Sequence, residues 1–363
     1  MKRSRARRAR ADYNVDIVSQ HGAAGSTGRR ARFRWAAVAA VLLATGVGAS
    51  ASLVAAQPQD PSPEARAIAF LAGEVPRWPV ENNCFSCHNN GDAARALYTA
   101  VGQDYAVEAE ALRATTAWLQ NPAAWDDNAL GLEFADKTLA RIQFAGALVD
   151  AMLADQIRDP VPLADAAALI AADQTDDGSW QLDTSGSIGS PATYGKALAT
   201  WAALRALRQA GTLDLTPVIA RADAWVRGVE VQTVIDAAAV VLALGGADDP
   251  AALTQRQRCL ALIMEGKAPS GGWGAYLTSA VEPFDTALVL LALQPLLGRP
   301  ELAAPALEAG TLTEVVSGGR RFLLEEQLRD GSWVETTRPA GQQSYAQYIS
   351  TTAWATLALL ATR

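Results

Sequence analysis

A wholly α-helical chain of six helix pairs is what this sequence predicts, on three observations. A unit of about 50 residues recurs through it, long enough for a helix, a loop and a second helix. The second helix of each unit is apolar nearly all round, the mark of a helix enclosed by others. No stretch alternates as a strand does, while the helix formers Ala, Leu, Arg and Glu fill every unit. Helices of these two kinds in alternation can form two concentric rings, an α6/α6 toroid. They can also form an open solenoid, whose inner helices would keep a wetter face. Half of the 363 residues are apolar, ample for one large core.

The first helices of the pairs fall near residues 63–73, 108–120, 162–173, 216–228, 253–265 and 313–328. Their apolar positions recur at helical spacing with Arg, Glu or Gln between, so they belong in an outer layer. The apolar second helices begin near Cys84, Glu133, Ser190, Thr233, Glu282 and Tyr348. Three loops between the partners carry Gly178-Ser179-Trp180, Gly271-Gly272-Trp273 and Gly331-Ser332-Trp333. There Gly permits a tight turn, the Trp ring can pack over helix ends, and a Gln before it can cap loose backbone groups.

The N-terminal 56 residues read differently from the rest, which sets two segments, 1–56 and 57–363. Residues 1–34 are strongly basic, and an uncharged stretch runs from Trp35 to Ala56, ending in Val54-Ala55-Ala56. That is the pattern of a secretory signal, so the protein is expected to be exported, to the periplasm or beyond. An uncleaved anchor over 35–56 is the alternative, and it would be the one route to a membrane. The leader carries ten of the 31 Lys and Arg and two of the 38 Asp and Glu, leaving the body at a net charge of −15. An acidic body repels nucleic acid and anionic lipid, so neither is an expected partner.

Cys84-Phe85-Ser86-Cys87-His88 opens the first inner helix and matches the pattern by which c-type haem is attached. Two thiols add across the haem vinyl groups, and the following His reaches the iron. The competing readings are a zinc site and a redox thiol pair. His21 lies in the leader, so His88 is the one histidine of the body. Met152 and Met264 sit badly for a second iron ligand, which leaves an open iron face as the expectation. Cys259, within an apolar run, reads as a buried inert thiol.

Gln174-Thr175-Asp176-Asp177-Gly178-Ser179-Trp180, Gly271-Gly272-Trp273-Gly274 and Gln327-Leu328-Arg329-Asp330-Gly331-Ser332-Trp333 resemble the QW motifs of squalene–hopene cyclases. The same toroid is found in protein prenyltransferase β-subunits. The resemblance covers roughly residues 60–363 and favours the closed ring. Class II terpene cyclases carry Asp-x-Asp-Asp-Thr at an inner-helix start, with the middle Asp as proton donor. The matching stretch here is Glu282-Pro283-Phe284-Asp285-Thr286, and Phe284 takes the donor's place. The expectation is therefore that cyclisation is absent. The prenyltransferase likeness suggests instead a zinc held by Cys84, Cys87 and His88 with Asp285 or Asp236.

In a closed ring the inner helices all start at one mouth. That gathers Asp136, Lys137, Tyr194, Lys196, Asp236 and Asp285 near the CxxCH motif as candidate site residues, although an Asp at a helix start is commonly only a cap. The resulting expectation is an exported toroid with haem c on Cys84, Cys87 and His88, His88 being the metal ligand. It would handle a small lipophilic molecule in an apolar central cavity by redox chemistry, with a redox partner protein. The alternative is a non-enzymatic binding or scaffold module in which CxxCH is structural or binds zinc.

Overall fold

Capping residues and apolar faces divide the chain much as its periodicity predicts. The structure, a computed structural model, describes residues 60–128, 136–182, 195–337 and 343–363. Among these there are twelve α-helices and no strand. The outer helices are α1 (Pro63–Asn82), α3 (Ala109–Leu119), α5 (Val161–Ala172), α7 (Thr216–Gly228), α9 (Pro250–Glu265) and α11 (Ala309–Glu326). The first inner element is a π-helical turn, Cys87–Ala93, running into α2 (Ala94–Val101). The others are α4 (Lys137–Leu153), α6 (Lys196–Ala210), α8 (Val234–Leu244), α10 (Pro283–Leu297) and α12 (Tyr345–Ala361). Ser62 and Asp249 cap their helices through side-chain oxygens, each with Pro next, where a missing N–H costs nothing.

Each inner helix packs on the next, and α12 packs on the π-helical turn and α2. That closes the ring, as the toroid expectation requires. The Gly-x-Trp loops explain how the units lock together. Trp180, Trp273 and Trp333 are fully buried, and each indole N–H donates to a carbonyl ten residues back, on Ile170, Ile263 and Leu323. Their backbone N–H groups donate to Thr200, Thr286 and Thr352 on the inner helix that follows. Truncating a buried Trp of this kind typically costs about 3–5 kcal/mol.

The glycine of each loop has positive φ, +91° at Gly178, +94° at Gly271 and +95° at Gly331. A Cβ there would lie 2.6 Å from Arg221 O, 2.7 Å from Gly318 O and 2.3 Å from Arg66 O respectively. Each loop therefore presses on the next outer helix, and the last presses on the first. All described residues fall in one unit, Pro58–Arg363. The expected leader lies outside the described residues. No described helix is long and apolar enough to cross a membrane.

Candidate functional site at the inner-helix mouth

The CxxCH motif is held against α1 by the two asparagines that follow it. Pro79 interrupts α1 and cannot donate to Val75 O, so that carbonyl is open. Asn90 Nδ2 donates to it at 3.1 Å, and Asn89 Nδ2 donates to Glu74 O at 2.9 Å. The Asn90 amide oxygen accepts from Ser86 N at 2.9 Å, while Ser86 Oγ accepts from Asn89 N at 3.0 Å and caps the turn.

His88 is thereby fixed. Its Nδ1–H donates to Asn89 Oδ1 at 2.5 Å, which fixes the tautomer and leaves the Nε2 lone pair available. Trp78 meets the imidazole edge-on at 4.7 Å between centroids, and Tyr345 does so at 5.7 Å. Tyr345 in turn stacks on Trp78, accepts from Asn89 Nδ2 at 2.9 Å and donates to Glu74. Burial drives the His88 pKa down to about 4, against the pull of the Asn89 bond, so the ring is neutral. Cys84 and Cys87 are half-buried free thiols. Burial first, then the Asp92 charge, pushes the Cys87 thiol up to about 12. On the other side, Phe85 stacks on Trp118 at 4.6 Å.

The indole nitrogens of Trp78 and Trp118 are buried donors with no hydrogen-bond partner. A groove of about 350 Å³ lined by Glu335, Gln343, Ser344, Tyr345 and Tyr348 adjoins this aromatic shell. Sequence reading missed Trp78, Asn89, Asn90 and Tyr345. Pro79 inside a helix, with the open carbonyl it creates, was the available signal for Asn90.

The mouth candidates separate. Asp136 caps α4, its Oδ1 accepting from Leu139 N at 2.9 Å, and Lys137 beside it is exposed. Lys196 pairs with Asp177 at 2.8 Å and lies over Trp225, which directs it to the outer layer. Tyr194 lies outside the described residues. Asp236 and Asp285 occupy the first turns of the neighbouring helices α8 and α10, Asp285 fully buried. Burial raises the Asp236 pKa above its ordinary value, against a hydrogen bond with Thr233. No three His, Cys, Asp or Glu side chains converge as a metal site among the described residues.

Among the described residues, charged and aromatic side chains of the inner helices meet across the ring. Asp150 pairs with Arg95 at 3.0 Å and with Arg205 at 2.6 Å. The Arg95 guanidinium lies over Trp354 at 4.8 Å and Trp201 at 5.3 Å, and Phe284 packs edge-on against Trp354 at 5.7 Å. Beside them lies a cavity of about 10 Å³. Helices apolar nearly all round concealed these few inward charges.

No family model and no curated protein matches the chain. Solved structures do. A protein from Actinoplanes is 17% identical over 82% of this chain and 99% of its own, with a TM-score of 0.52. The type II terpene cyclase MstE from Scytonema, without ligand, is 16% identical over 82% and 98%, with a TM-score of 0.50. A single-residue variant of that cyclase, in complex with the substrate geranylgeranyl dihydroxybenzoate, is 15% identical over 83% and 99%, with a TM-score of 0.49. The fold is the α/α toroid of terpene-cyclase type.

This corrects the functional expectation. A type II terpene cyclase stands among the matching toroids, so Phe284 does not set that class aside. The Phe284 side chain is fully buried and packs edge-on against Trp354. The redox and scaffold readings both took cyclisation to be absent, and the likeness removes that premise.

Proposed function

We propose that this chain carries out proton-initiated chemistry on a small olefinic substrate at the inner-helix mouth, with Asp236 as the acid. The observation that carries the reading is the Asp236 carboxyl. It sits in the first turn of α8, 3.2 Å from where a Cβ on Gly195 at the start of α6 would lie, and burial raises its pKa, so it holds a proton more readily than an exposed carboxylate. The proton adds to one olefinic carbon. The cation left on the other carbon is attacked by a second double bond, which forms the ring and carries the charge to a new carbon; that cation, or the first one where no ring forms, loses a neighbouring proton to the Asp236 carboxylate. The likeness to a type II terpene cyclase supports this class of reaction.

Purified protein incubated with geranylgeranyl dihydroxybenzoate and shorter prenyl compounds should give cyclised or isomerised products by mass spectrometry. Asp236→Asn, with helicity unchanged, should lower the rate by about 10²–10⁴-fold. Substrates that all emerge unchanged, or an Asp236→Asn variant as active as the parent, would sink the reading.

A second reading concerns a cofactor and rests on a separate observation, the donor set around His88. We infer that Cys84 and Cys87 carry a c-type haem, with His88 Nε2 as the iron ligand. The residues suit it: two free thiols and a neutral imidazole share one turn, and the other ring nitrogen is already bonded. The partnerless indole N–H groups of Trp78 and Trp118 are suited to carboxylate groups such as haem carries. When bound, haem supplies an iron centre for electron transfer or small-ligand binding. Zinc needs several protein ligands, whereas haem asks for one. The same reading carries export with it, through the 1–56 leader. Denatured protein from a host with c-haem assembly should keep its haem on a gel, and Cys84→Ala with Cys87→Ala should abolish this. Colourless exported protein with stoichiometric zinc would overturn it.

A further inference from the structure

We propose that the toroid axis is built to hold a single water molecule, bridging the Arg95 guanidinium to the Gln143 carbonyl. Gln143, on α4, is 4% exposed. Its Nε2 donates to Asp92 Oδ2 at 2.7 Å, which sets the amide orientation, since a carboxylate only accepts. The amide oxygen Oε1 is then a buried acceptor with no partner. Leaving such a group unsatisfied costs more than an ordinary hydrogen bond gains, so it calls for a donor.

The space beside it fits one. The cavity lined by Asp92, Arg95, Gln143, Gly146, Trp201 and Arg205 has a volume of about 10 Å³. That is the room one water needs, and too little for any larger ligand. Arg95 can supply the second contact. Its Nε is spent on Asp150, while its other N–H groups make no hydrogen bond among the described residues. Arg205 is committed to Asp150 and to Gly146 O. A water that accepts from Arg95 and donates to Gln143 Oε1 completes a polar chain. It runs from Asp92, in the turn that bears His88, through Gln143 and Arg95 to Asp150 and Arg205.

Gly146 allows a test by sign. A Cβ at Gly146 would meet only Arg95 Cδ, at 3.9 Å, so Gly146→Ala introduces no clash. If the cavity is dry, the methyl group fills it, the helix exchanges Gly for a better former, and Tm rises. If a water sits there, the methyl displaces it and strips Gln143 Oε1 of its donor, and Tm falls by several degrees. We expect the fall, together with recovery in Gly146→Ser, whose hydroxyl can replace the water. A crystal structure of the wild-type protein should show one density peak within about 2.7–3.2 Å of Gln143 Oε1. A rise in Tm for Gly146→Ala, or an axis without such a peak, overturns the proposal. The peak alone decides if the variants fail to fold.

Discussion

His88 is neutral because it is buried, and that makes its titration a term in stability. Its folded pKa of about 4 lies below the ordinary 6.5, so between these values the unfolded chain binds a proton that the folded ring refuses. Stability from this residue is complete above pH 6.5 and is lost as pH falls toward 4. At about 1.4 kcal/mol for each tenfold change, the loss is on the order of 3 kcal/mol. Denaturant melts of haem-free protein should show this slope, and His88→Gln should remove it. A wild-type profile flat from pH 7 to 4 would mean that the ring is solvated. The motif that contains His88 was legible at once, because five adjacent residues carry it. Its supports were not: Tyr345 lies 257 positions further along, and Trp78 lies on a different helix, α1.

At the level of elements, period and capping chemistry were enough to place all six outer helices and, within three residues, the starts of four inner ones. α4 and α6 begin at Lys137 and Lys196, after the expected Glu133 and Ser190, and the last inner helix departs the other way. It begins at Tyr345, not Tyr348, because Ser344 Oγ accepts from Gln347 N and starts the helix a turn early. The Gly-x-Trp loops were legible as structure because each asks for one conformation, with positive φ at Gly and a buried indole. Their partners Thr200, Thr286 and Thr352 were missed. A Thr inside an apolar helix reads as an unremarkable small residue until its hydroxyl is seen to accept a Trp backbone N–H. The axis was the least legible part. Arg95, Asp150 and Arg205 come from three helices, and no spacing within one helix signals that they converge. Asp236 was only half legible: its place at a helix start could be read, but its burial could not.

For the whole molecule, ring closure depends on a seam between the first and last units, and that seam should be sensitive to acid. Gln327 Nε2 donates to Pro63 O at 2.8 Å and its Oε1 accepts from Arg66 at 2.6 Å, while Arg320 pairs with Glu64. Burial alone would raise the Glu64 pKa. Its backbone hydrogen bond, then the bond and charge of Arg320, outweigh burial and hold the carboxyl below its ordinary 4.5. A depressed carboxyl contributes stability that is present above pH 4.5 and lost as pH falls through its folded value. Protonating Glu64 takes the partner from Arg320, whose side chain is 22% exposed, and should loosen α1 from α11 and α12 ahead of the remaining helices. Hydrogen exchange followed by mass spectrometry from pH 6 downward should therefore show α1 and α12 losing protection first, below pH 4.5. In Glu64→Gln the same segments should already exchange faster at pH 6 and show little further step. Loss of protection spread evenly over all six units, with no difference in Glu64→Gln, would mean that closure rests on the apolar packing of α12 against the π-helical turn and not on the charged seam.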